Sequence, residues 1–162
     1  MFKLLILCIA LLSSLGSFAQ ECPDPPQLNQ EIVLLARAKI KKKVGRGECW
    51  DLAEYVLDEK GCEWDHQYVY GRPVDPLKEC IFPGDILQFE KVELKWQEGR
   101  TRFEESMSHH TAIVSKVIDA THIMILHQNT DEFGKKVGES DFYFNRVTKG
   151  KIKVYRPVQP SN

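Results

Sequence analysis

Apolar residues recur at helical spacing twice in the first half of the chain and at alternating spacing through much of the second. Residues 28–44 contain no Gly or Pro. Ile32, Leu35, Ala36 and Ile40 form one stripe there, which predicts a packed helix capped at its end by Gly45. A second helix is predicted to start near Cys49 and stop at Gly61, with Cys49, Ala53, Val56 and Leu57 on one face and Asp51, Glu54 and Asp58 on the wetter side. Residues 68–76 read as a polar and aromatic loop carrying Gly71, Pro73 and Pro76. The run "FPGDILQFE" turns into a strand over residues 85–90, and residues 97–108 read as a charged hairpin tip or loop. "HTAIVSKVI" and "HIMILHQN" are two further strands around a turn at residues 119–121, and residues 151–155 form a last one. Helices first and antiparallel strands afterwards predict an α+β fold, the N-terminal helices packed on a small antiparallel β-sheet. With no repeat or low-complexity tract, residues 20–162 read as a single domain.

The first residues change the chemical setting. Lys3, the apolar run "LLILCIALL" and the sequence Ser17-Phe18-Ala19 read as a secretory signal peptide over residues 1–19. That run is too short to span a bilayer comfortably, so no stable membrane span is expected. The expected location is periplasmic or extracellular. Cys8 would leave with the leader, and Cys22, Cys49, Cys62 and Cys80 would remain in an oxidising compartment. Four cysteines allow three complete pairings, and spacing does not choose among them. If Cys49 stays reduced, Cys62 with Cys80 and Cys22 with Cys80 are both open. The spacing lacks the close cysteine pairs of a structural zinc site, so no metal is expected. The balance of 22 basic and 23 acidic side chains gives no reason to expect nucleic acid as a partner.

Cys49 stands where a helix begins, and its unpaired first-turn amides favour a negative sulfur. In the strand that starts at His110, the side chains of His110, Ala112 and Val114 point one way. In the next strand Ile123, Ile125, His127 and Asn129 share a face. A hairpin whose Ala112/Val114 and Ile123/Ile125 faces cover the Cys49 helix brings together thiol, base and orienter: Cys49, His110, and His127 or Asn129. A nearby imidazolium is then expected to populate the thiolate near neutral pH. Strand alternation turns His109 away from this set. Gly47, with Gly45, leaves room for an extended substrate backbone, and the Cys49 amide can face a developing oxyanion. Arg46 ends a basic run and is a candidate for attracting a substrate carboxylate. Trp50 lies either beside the thiol or in the helix–sheet packing.

The pieces "GECWDLAEYVL", "PGDILQFE", "HTAIV" and "ILHQN", in this order between Gly45 and Asn129, resemble the papain-like CHAP cell-wall hydrolases and the related NlpC-like peptidases. The resemblance implies a papain-like core with Cys49 as nucleophile and His110 as general base and later acid. It also implies hydrolysis of peptide or amide bonds in a peptidoglycan stem peptide or cross-bridge, by a monomer that needs no cofactor. His127 stands where CHAP enzymes commonly carry glutamate, whereas NlpC-like relatives use histidine there. The alternative is a non-catalytic module of the same fold that binds a peptide, a glycan or a protein.

Overall fold

The computed structural model describes residues 22–161. The leader predicted over residues 1–19 lies outside the described residues. Two helices, α1 (Gln27–Arg37) and α2 (Asp51–Glu59), precede six strands: β1 (Arg72–Val74), β2 (Ile86–Glu98), β3 (Thr101–Val117), β4 (His122–His127), β5 (Gly138–Tyr143) and β6 (Val147–Arg156). The strands form one sheet in the order β1-β6-β2-β3-β4-β5, and every neighbouring pair is antiparallel. The fold is α+β, with no helix among the described residues long and apolar enough to cross a membrane.

Side-chain alternation gives the sheet two faces. Ile86 of β2, Ile113 of β3 and Leu126 of β4 join Ile32, Ala36, Ala53, Val56 and Leu57 of the helices in one core cluster. Leu87, Phe89, Ala112, Val114, Ile123 and Ile125 form a second cluster, with Phe142 of β5 and Val154 of β6. Successive strand residues point to opposite faces, so the helices cover the Ile113 side. This corrects the expectation that Ala112 and Val114 face the Cys49 helix. Both faces of these strands are apolar, so alternation alone cannot say which one a helix will cover.

Several elements differ from prediction: residues 68–76, read as a loop, contain β1, which pairs with β6, and β5 has no predicted counterpart. The first helix ends at Arg37 with Ala38 as its cap, well before Gly45. Beyond it the Lys41 amide donates to the Val137 carbonyl (2.8 Å) and the Val137 amide to the Lys42 carbonyl (2.9 Å), so pairing with the chain ahead of β5 replaces helical bonds. Residues 97–108 are an extension of the hairpin, because β2 runs to Glu98 and β3 begins at Thr101. Trp96 stacks on Phe103, and Lys95 pairs with Glu104 at 3.2 Å, across this two-stranded arm. The last strand starts at Val147, four residues before its predicted start. A bulge in β2 at Lys91 (φ 51°) shifts its register against β6, and Gly150 (φ 92°) leaves no room there for a side chain against the Lys91 carbonyl.

Candidate active site

Cys49 sits immediately before α2, whose cap is Trp50. The turn leading into it needs two left-handed residues, Gly45 (φ 55°) and Gly47 (φ 86°). Asp51, expected on the wet side, is instead buried. Its carboxylate accepts the Arg46 amide at 2.6 Å, the Glu48 amide at 3.1 Å and Arg46 Nη2 at 3.0 Å. The acid folds the turn back onto the helix start. A second clamp comes from the end of β4. Buried Gln128 accepts from the Val44 amide at 3.2 Å and donates Nε2 to the carbonyls of Val44 (3.0 Å) and Glu48 (2.7 Å). Asn129 Nδ2 donates to Glu48 Oε2 at 3.0 Å, and Lys135 reaches Glu48 Oε1 at 3.2 Å.

These two clamps place the Cys49 sulfur beside Thr111, the strand residue next to His110. Burial pushes the thiol up; the amide and hydroxyl of Thr111 and the amides of Trp50 and Cys49 oppose that shift by favouring the thiolate. The Thr111 hydroxyl donates to Gln88 Oε1 at 2.7 Å, and the Tyr70 hydroxyl lies 3.0 Å from Thr111 Oγ1. The β3–β4 ladder ends at Ile113 and Leu126. Before Ile113, the β3 edge is open toward the segment that carries Cys49.

His110 and His127 meet on the other face of the sheet. His110 Nε2 lies 3.0 Å from His127 Nδ1, and His127 Nε2 lies 2.9 Å from Ser140 Oγ. The rings stand edge to face with centroids 5.2 Å apart. Gly138 lies directly across from His127 in the ladder, and the Phe133 ring fills the space a side chain would take there. Burial lowers His110 to about 4. His127 falls to about 3, through burial first and the His110 charge second. Burial thus shifts both rings and the thiol toward their neutral forms, away from the imidazolium–thiolate pair that the sequence suggested.

His110, His127, Asn129 and Ser140 line a groove of about 720 Å³ on this face, with Glu105 and Asp131 on its walls and Cys49 outside its lining. Burial and the neighbouring Asp131 charge push the Glu105 carboxyl up. His109 faces the helix side with Thr111; its Nδ1 is 3.1 Å from Gln88 Nε2, and its ring packs on Tyr68.

The other residues singled out in the sequence have structural partners. Arg46 pairs with Asp51 and lies over the Trp50 ring. Trp50 is half-buried against the helix-side core and tilts on Trp64. The space beside Gly47 holds the Lys135 side chain. A Cys22–Cys80 disulfide resolves the pairing and leaves Cys49 and Cys62 free. Sequence reasoning did not assign roles to Thr111, Gln128 or Ser140. The first two stand inside the quoted "HTAIV" and "ILHQN" runs; Ser140 lies in a stretch with no recognisable pattern.

Among curated proteins, none matches the chain in sequence. Among solved structures it is similar to Ly7917, with 18% identity and a TM-score of 0.45 over 78% of this chain and 62% of that one. It is also similar to Ly7917 with the hydrolyzing product of MDP, with 18% identity and a TM-score of 0.48 over 80% and 62%. This chain thus spans 62% of the length of those chains. Residues 26–161 match a family profile described as the AIM3/BBC1 cysteine proteinase-fold domain, a different description from CHAP or NlpC but the same kind of fold that the four motifs implied. With the match running from the start of α1 past the end of β6, the chain belongs to the AIM3/BBC1 cysteine proteinase-fold domain family.

Proposed function

We propose that this domain is a cysteine hydrolase, with Cys49 as nucleophile, His110 as base and His127 as its orienter. One observation carries the reading: a free thiol at the start of α2, its anion favoured by the amides of Thr111, Trp50 and Cys49, lies beside the strand residue that follows His110, a buried imidazole whose Nε2 is already engaged by His127. Neutral His110 would take the thiol proton as sulfur attacks an amide carbonyl, so the thiolate forms during the attack rather than at rest. The Cys49 amide faces the developing oxyanion. His110 then gives its proton to the departing amine, and water activated by the same ring releases the acyl-enzyme. Asn129 and Gln128 hold the turn that presents the sulfur.

The substrate class rests on the resemblance of the four motifs to CHAP and NlpC-like enzymes: a peptide or amide bond of a peptidoglycan stem peptide or cross-bridge. A secreted monomer, working in the periplasm or outside the cell, fits the leader read in residues 1–19. Arg46 is already paired with Asp51, and the groove carries Glu105 and Asp131, so the walls favour a substrate amine over a free carboxylate.

A binding module without catalysis has one observation in its favour: the His110 ring faces the groove while Cys49 lies outside the groove's lining. Product masses from defined muropeptides separate the two readings. The hydrolase reading expects cleavage by the wild type and none by Cys49→Ala of equal thermal stability. Intact muropeptides with the wild type, bound but uncut, would leave the binding module.

A further inference from the structure

We infer that Ser140 is a positioning residue that fixes the proton pattern of the His110–His127 pair, an assignment that rests on the hydrolase reading for its catalytic meaning but not for its geometry. Ser140 lies on β5 opposite Ile125, one diagonal step from His127, on the same face of the sheet. Its hydroxyl is 2.9 Å from His127 Nε2, and His127 Nδ1 is 3.0 Å from His110 Nε2. The three groups form a chain that starts at the base and ends in the groove.

A neutral imidazole carries one N–H and one acceptor nitrogen. Two proton patterns satisfy the chain. In the first, His110 Nε2–H donates to His127 Nδ1 and His127 Nε2–H donates to Ser140 Oγ, which leaves His110 Nδ1 as a free acceptor. In the second, the Ser140 hydroxyl donates to His127 Nε2 and His127 Nδ1–H donates to His110 Nε2, so His110 Nδ1 carries the hydrogen and no nitrogen is left to take one. Only the first makes His110 a base. Once His110 gains a proton it carries hydrogen on both nitrogens and must donate to His127 Nδ1. His127 is then an Nε2–H donor, and Ser140 is its acceptor. A side chain without oxygen at position 140 leaves that donor unpaired in the charged state.

The test reads the protons directly. Nitrogen-15 spectra of the ring-labelled, full mature chain near neutral pH are expected to show both His110 and His127 as Nε2–H tautomers. Ser140→Ala is expected to lose that pattern at His127, Ser140→Thr to keep it, and both to melt near the wild-type temperature. With a muropeptide substrate, kcat is expected to fall roughly ten- to hundredfold in Ser140→Ala, the range set by one unmet buried donor, and to recover in Ser140→Thr. An Nδ1–H tautomer at His127 in the wild type, or wild-type tautomers and kcat in Ser140→Ala, would overturn the assignment and leave the hydrolase reading standing. The expected tautomer changes in a chain that cuts no substrate would uphold the positioning and remove the hydrolase reading instead.

Discussion

Gln128→Ala should cost about 1–3 kcal/mol of stability, the range for one buried polar group left unsatisfied, because the Val44 amide loses its partner. Gln128 has no exposed surface. Its amide accepts from the Val44 amide (3.2 Å) and donates to the carbonyls of Val44 (3.0 Å) and Glu48 (2.7 Å). Truncation strands the Val44 amide, whereas the Val44 carbonyl keeps the Gly47 amide (2.9 Å) and the Glu48 carbonyl keeps the Asp51 amide (3.1 Å); water entry or a shift of the turn limits the loss. A domain of ordinary stability, about 5–15 kcal/mol, stays folded after such a change. Gln128→Glu makes the test sharper. It keeps an acceptor for the Val44 amide but sets a buried carboxylate oxygen against two carbonyls, so it should be no better than alanine. Urea titration followed by tryptophan fluorescence gives the stability, and melting temperatures give an independent reading. The same variants should slow reactions at Cys49, because the clamp fixes the turn that carries it. If both variants unfold within about 0.5 kcal/mol of the wild type, the size expected of an inconsequential surface change, the clamp is not holding the turn.

Stability should fall as pH drops from about 6.5 toward 4. Over that window unfolded histidines bind protons that folded His110 and His127, lowered to about 4 and about 3, do not, so each ring contributes a slope of up to about 1.4 kcal/mol per pH unit. Urea titrations at pH 7 and pH 5 should show the loss, and replacing both rings by Gln should flatten it; an unchanged slope in that double variant would refute the burial argument. For turnover on muropeptides, His127→Ala should be more damaging than Asn129→Ala, since His127 touches His110 whereas Asn129 reaches only Glu48. The opposite ranking would mean that presenting the sulfur matters more than orienting the base.

Much of the layout could be read from the chain because each element has its own period. The helical stripe through Ile32 and Ala36 is a core face, and the "HTAIV" and "HIMILH" alternation yields adjacent strands with His110 and His127 in contact. What the pattern left open has physical reasons. Ile113 and Ala112 are both apolar, so alternation marks two buried faces without saying which meets a helix. Asp51 reads as a solvent-facing acid, yet three donors from a turn only five residues away bury it. The arm of β2 and β3 beyond Leu94 has charges on both faces because no helix covers it, so it lacks the alternation of a half-buried strand. The Cys22–Cys80 pairing joins residues 58 apart, a contact set by the fold rather than by spacing. Ser140 acts through a diagonal neighbour on β4, which no local pattern encodes.

The central claim, that the Cys49 sulfur and the His110 ring work as one unit, is most directly tested by the iodoacetamide alkylation rate of Cys49 near neutral pH, with Cys62 as an internal reference in the same chain. Burial raises the Cys62 thiol to about 11, so it should react slowly in every variant. His110→Ala should slow Cys49 by about tenfold or more, the lower reach of a general-base contribution, while His109→Ala leaves it unchanged. A Cys49 rate that survives His110→Ala, or that falls only in His109→Ala, would contradict the pairing.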